Sequence, residues 1–184
     1  MAEGWTKIPH SIVYQIAMTP PAASLHADIA ALLPRLRRFG RAVTRNHEDA
    51  DDLVQVAIER ALRHAGQWEA GSRLDSWLFR IMKNAWIDEV RVRVRRDRLF
   101  AAEEEGQYVG DDASERQVHR LAVQQAISRL SEDQRMVVAL VLVDGLPYKE
   151  AAHVLDIPVG TLTSRLARAR EALQAQLSDT ARIR

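Results

Sequence analysis

The chain of 184 residues has no cysteine, which excludes disulfides, cysteine-ligated zinc and thiol nucleophiles. It also lacks a long apolar run. The stretch from Ile12 to Met18 is broken by Tyr14 and Gln15 and is too short to span a bilayer. No basic region or clear cleavage site marks an export signal, so the expectation is a cytoplasmic protein without membrane insertion. Charge of one sign is missing as well: 26 Lys and Arg face 25 Asp and Glu, and the net charge of +1 does not by itself announce a nucleic-acid binder. The histidines (His10, His26, His47, His64, His119 and His153) are scattered without ligand spacing. No metal, cofactor or catalytic site is expected, and a helical hydrolase is rejected. Internal repeats, low-complexity tracts and convincing period-two alternation are absent too, and with the last go strands.

What is present is helical periodicity in two blocks. In the first, residues 25–98, one helix carries Ile29, Leu32, Leu33, Leu36, Phe39 and Val43 inward, with Arg35, Arg38 and Arg41 outward. Pro34 lies inside this pattern and is expected to kink the helix or shift its start. Asn46-His47-Glu48 reads as the turn to a second helix striped by Ala50, Leu53, Val54, Ala57, Ile58, Ala61 and Leu62. The polar stretch Ala65 to Arg73 reads as a loop. A third helix opens near Leu74, with Trp77, Leu78, Ile81 and Ala85 inward and Trp86 unassigned. Asp88 is expected to pair along this helix with Arg91 or a neighbour of Lys83.

A swing from five arginines within 91–98 to acidic residues at 103–105 and 111–112 marks a flexible acidic linker, 99–113. The second block, 114–178, follows; 1–24 read as a flexible leader, with Met18 a candidate start, and 179–184 as a tail. The expected fold is all-α, two small helical modules joined by the linker.

The second block is the more telling. Ser131-Glu132-Asp133-Gln134 has the form of a capping box, and the apolar run Met136 to Val143 ends at Asp144-Gly145. A short helix, Tyr148 to Leu155, begins after Pro147; Asp156-Ile157-Pro158 then breaks the chain before a last helix from Val159. That helix has a dry stripe of Val159, Leu162, Leu166, Ala169, Leu173 and Leu177. Opposite lie Gly160, Ser164, Ala167, Arg168 and Glu171, with Thr161 and Thr163 on the shoulders. Small polar residues and an arginine near a helix N-terminus suit entry into the major groove, so the pattern predicts a DNA-reading helix-turn-helix.

Three motifs in order carry a resemblance: Asp49-Ala50-Asp51-Asp52-Leu53-Val54-Gln55, then Ser76-Trp77-Leu78-Phe79-Arg80-Ile81-Met82-Lys83-Asn84, then Val159-Gly160-Thr161-Leu162-Thr163-Ser164-Arg165-Leu166-Ala167-Arg168-Ala169-Arg170. The chain resembles the extracytoplasmic-function (group 4) sigma factors of the sigma-70 family over residues 25–177. The resemblance implies a promoter-recognition subunit of RNA polymerase. Its first module (sigma region 2-like) binds the β′ clamp helices and melts the −10 element. Its second (region 4-like) reads the −35 element and touches the β flap. It also implies an anti-sigma factor and a role in a stress or envelope response.

Carried onto this chain, the polymerase-binding candidates are Asp49, Asp52, Gln55 and Val56, with Glu59 on the same face. The −10 candidates are Gln67, Trp68, Arg73, Arg80, Lys83, Asn84 and Arg91, a loop and flanking cations that hold an unstacked strand. The −35 candidates are Gly160, Thr161, Thr163, Ser164, Ala167 and Arg168. Arg165 and Arg170 flank the dry stripe and are candidates for phosphate contact or intramodule pairing. Family members often carry a basic residue at the position of Thr163 and a bulky one at Ala167; both are small here, which shifts the expected −35 preference. The competing reading is a helix-turn-helix regulator that binds operator DNA as a dimer without joining the polymerase.

Overall fold

The computed structural model describes residues 22–44, 46–69, 71–99 and 115–182. The expected leader up to residue 21 and the expected linker from residue 100 lie outside this set. Residues 22–24, Leu99 and 179–182, expected in leader, linker and tail, are helical.

Seven α-helices and no strand make up the described residues. The first three are α1 (Ala22–Val43), α2 (His47–Arg63) and α3 (Leu74–Leu99), with a 3-10 turn at Ala65–Gln67 between the last two. After the linker come α4 (Glu115–Ser128), α5 (Glu132–Val138, continued by a π turn over Ala139–Val143), α6 (Tyr148–Leu155) and α7 (Val159–Arg182). α1 runs on either side of Pro34, so the proline does not shift its start.

Local chemistry accounts for the ends of these helices. Asn46, expected within a turn, is instead the N-cap of α2: its Oδ1 accepts from the Asp49 N–H at 2.7 Å, and His47 is already helical. Ser131 and Gln134 form the capping box that opens α5. The π turn closes through Asp144 N–H donating to the Ala139 carbonyl at 3.0 Å, and Gly145 follows at φ 77°, a conformation favourable to glycine. Asp156 ends α6 in the left-handed region.

α1 is the hub. It packs against α2 and α3 in the first module and against α4, α5 and the π turn in the second, while α6 lies on α3. One continuous apolar core results. It joins Leu36, Phe39, Leu53, Leu78, Phe79 and Met82 to Val137, Leu140, Val154, Leu162 and Leu166. Each such side chain, fully buried, contributes about 1.5–3 kcal/mol of transfer free energy. The modules therefore share a core rather than standing apart on a tether.

Two apolar placements differ from the periodicity, Leu62 of α2, which is 39% exposed rather than inward, and Val159 of α7, while Trp86, which the periodicity left unassigned, finds its place. Val159 heads the dry stripe of α7 but is exposed; burial begins at Leu162. Trp86 is buried against the bundle, with the Arg93 guanidinium 5.7 Å from its ring centre. Trp77 and Ile81 are only partly buried, and Phe79 and Met82 take the central places of α3.

Candidate nucleic-acid interface

α7 is anchored by Leu162, Leu166 and Ala169, all at 1% exposure or less, and this fixes which side it turns outward. Gly160, Thr163, Ser164, Ala167 and Arg168 are exposed and Thr161 is half-buried. Thr163 Oγ1 donates to the Val159 carbonyl at 2.9 Å and Ser164 Oγ to that of Thr161 at 3.0 Å, so both hydroxyls keep an acceptor site open to solvent. Arg165 pairs with Asp133 of α5 at 2.6 Å, which ties α7 to α5. Arg170 extends toward the Tyr148 hydroxyl of α6, 3.5 Å away.

The second cluster lies along α3 and the loop before it. Gln67 and Arg73 are exposed, and Trp68 is half-buried against the core with its ring N–H enclosed. Arg73 donates to Asp75 at 2.7 and 3.1 Å. Arg80 projects from α3 onto α6, where one Nη donates to His153 Nε2 at 2.7 Å and to the His153 carbonyl at 3.1 Å. Lys83 is half-buried; Asn84 and Arg91, further along the helix, are exposed. These residues lie along one helix and its preceding loop, but Arg73 and Arg80 already have partners within the protein.

On α2, Asp52, Gln55, Val56 and Glu59 form an exposed strip, with Gln55 donating to Glu59 at 3.1 Å. Asp49 stands apart from it. Its carboxylate pairs with Arg93 of α3 at 2.7 Å and accepts from the Asn46 amide at 3.0 Å, so it braces two helices. Asp88 does not pair along its own helix as expected: it reaches Arg60 of α2 at 3.2 Å.

The polar cluster with the longest reach was not legible in the sequence. Arg35 and Arg38, expected outward, converge on Asp144 at the end of the π turn. Arg35 spans Asp75 at 2.8 Å and Asp144 at 2.5 and 3.1 Å, and its guanidinium lies 5.6 Å from the Phe79 ring centre. The hydrogen bond to Asp144 holds Arg35 above its ordinary range against the opposing effect of burial. Burial alone would raise the Asp75 carboxyl, but bonds from Arg73, Arg35 and the Ser76 N–H outweigh it and bring it down to about 2. Partners some 40 and 109 positions away leave no periodic trace.

No group of residues able to hold a metal ion occurs among the described residues, and no helix there is long and apolar enough to cross a membrane.

Two family models match the two halves of this architecture. Residues 29–83 fit the "Sigma2 domain of PhyR" and residues 120–173 fit "Sigma-70, region 4". The ECF RNA polymerase sigma factor EcfG of Rhodopseudomonas palustris is 36% identical over 162 residues, spanning 86% of this chain and 87% of that one. This chain is an extracytoplasmic-function sigma factor. SigW of Bacillus subtilis, another member, is 33% identical over 147 residues, 73% of this chain and 78% of its own. Among solved structures, the sigma factor RpoE of Bartonella quintana, in complex with the anti-sigma factor NepR, superposes with a TM-score of 0.71 at 30% identity. The match covers 84% of this chain and 97% of RpoE.

As a sigma factor the chain acts with core RNA polymerase at promoter DNA, and the lone operator-binding regulator is not favoured. α1, α2 and the first turns of α3 are its region 2; α4 to α7 hold its region 4.

Proposed function

We propose that this sigma factor reads the −35 element with the exposed face of α7 and melts the −10 element with α3 and the preceding loop. Gly160, Thr161, Thr163, Ser164, Ala167 and Arg168 face the major groove, with Arg168 the principal base-reading side chain. Asn84 and Arg91, with Gln67, Trp68, Arg73, Arg80 and Lys83, receive the unstacked strand and its phosphates. Asp52, Gln55 and Val56 dock on the polymerase clamp, an acidic strip with one apolar contact suited to a basic partner. Domain limits follow: 25–98 for the first module, 114–178 for the second and 99–113 for the connector. The protein works in the cytoplasm, has no enzymatic activity, and is held by an anti-sigma factor of the kind bound to RpoE until a stress signal releases it.

One observation carries this reading: a small, polar, arginine-bearing helix face kept exposed by three deeply buried anchors on the other side. Run-off transcription with core polymerase on genomic fragments tests it. Discrete start sites that depend on the added chain support the reading, whereas DNA binding without polymerase and without transcripts sinks it.

A further inference from the structure

The outward face of α7 is short of hydrogen-bond donors. Thr163 Oγ1 donates its proton to the Val159 carbonyl and Ser164 Oγ to that of Thr161, so each hydroxyl has only lone pairs left to offer. Of Arg165, Arg168 and Arg170, only Arg168 has no partner among the described residues. Ala167 presents a bare methyl group. In Thr163, whose hydroxyl is engaged by its own helix, the methyl is the part left unengaged, and both residues are exposed. Four positions apart on a helix, their Cβ atoms lie about 5–6 Å from each other along one ridge, beside the ridge formed by Ser164 and Arg168.

We propose that Thr163 and Ala167 make this sigma factor a reader of thymine methyl groups. At one or two A·T pairs of the −35 element their methyls pack on the thymine C5 methyl, with Arg168 on a neighbouring guanine. The proposal rests on the assignment of −35 reading to the outer face of α7, and it names the base chemistry that this face selects.

The selection follows from what each base pair displays. In the major groove an A·T pair shows a methyl group and the adenine amino donor, whereas a G·C pair shows the cytosine amino donor and no methyl. The acceptor hydroxyls of Thr163 and Ser164 suit either amino group, so they do not separate the two pairs. The methyls do, because only thymine offers them an apolar surface. Guanine N7 and O6 require donors, and Arg168 supplies them. The separation of the two methyl-bearing residues is between one and two base steps of about 3.4 Å, so they meet neighbouring positions of the element.

Deoxyuridine in place of thymidine removes the C5 methyl and keeps every hydrogen-bonding group of the base, which makes the test direct. Holoenzyme assembled from the full chain and core polymerase is titrated onto a promoter duplex whose −35 thymines are replaced one at a time, on both strands. Replacement at one or two positions is expected to weaken binding about fourfold, the effect of about one buried methylene. Thr163→Ser keeps the hydroxyl and removes only the methyl; Ala167→Gly removes the other. Each is expected to bind the thymine duplex about fourfold more weakly and to lose its sensitivity to deoxyuridine at the position it faces. Indifference to deoxyuridine throughout, while base-pair changes at −35 still weaken binding, overturns methyl reading and leaves the −35 assignment standing. Sensitivity that persists undiminished in both variants also overturns it, since the effect then lies in DNA shape. Indifference to every −35 base pair overturns the −35 assignment and methyl reading with it. Should circular dichroism show that Ala167→Gly loosens the helix, Thr163→Ser decides alone.

Discussion

Arg35 on the first helix and Asp144 at the end of the π turn meet in two hydrogen bonds, 109 residues apart, at the seam between region 2 and region 4. The pair is unequal: the Asp144 side chain has no exposed surface, whereas that of Arg35 retains 29%. Among the described residues an abandoned Asp144 carboxylate has only Arg38 as an ionic partner, 3.7 Å away, but an abandoned Arg35 keeps Asp75 and some water. Arg35→Ala is thus expected to cost about 3–5 kcal/mol of stability and Asp144→Asn about half of that. Urea unfolding of both variants checks the order; equal costs would refute the asymmetry.

Asp75 makes part of the stability pH-dependent. Its carboxyl is lowered from 3.8 to about 2. A depressed acid contributes fully above its unfolded value, and the contribution disappears as pH falls through the folded one. The drop corresponds to about 2 kcal/mol, present above pH 5 and lost between about pH 4 and pH 2. Asp75→Asn is expected to lower stability at pH 7 by about that amount and to converge on the parent near pH 2, as followed by denaturant melts across the range. A difference that does not change with pH would show that the cost is steric.

Gly40 sets the approach of α1 to α2. A Cβ there would sit 3.1 Å from the Ala50 carbonyl oxygen and 3.5 Å from its Cβ. The obstacle is backbone, so it cannot swing aside. Gly40→Val is expected to destabilise by about 1–3 kcal/mol, as overpacking does, with a matching fall in thermal midpoint. A neutral result would mean that the two helices slide freely.

On the proposed assignment, Arg168 and Asn84 serve different DNA tasks. Arg168→Ala is expected to cost about 1–3 kcal/mol in −35 binding, and a template with a preformed bubble is not expected to rescue it. Asn84→Ala should keep −35 binding and lose open complexes, with partial rescue on the bubble. Permanganate footprinting on linear and bubble templates decides, and identical behaviour of the two variants would refute the division.

Much of the architecture was legible in the sequence because it is local. The stripe through Leu162, Leu166 and Ala169 repeats at three- and four-residue spacing, and the capping box at Ser131 and Gln134 is a contact between near neighbours. Side chains that a helix alone orients, such as Ser164 and Arg168, emerged on the exposed face. Tertiary structure decided what depends on distant partners. It exposed Val159 and buried Trp86, turned Asp88 across to Arg60, and committed Arg80 to His153. It also drew Arg35 and Arg38 onto Asp144 and merged two modules into one core. Periodicity says which side of a helix is dry; it carries no information on which other helix does the drying, or which charge waits there.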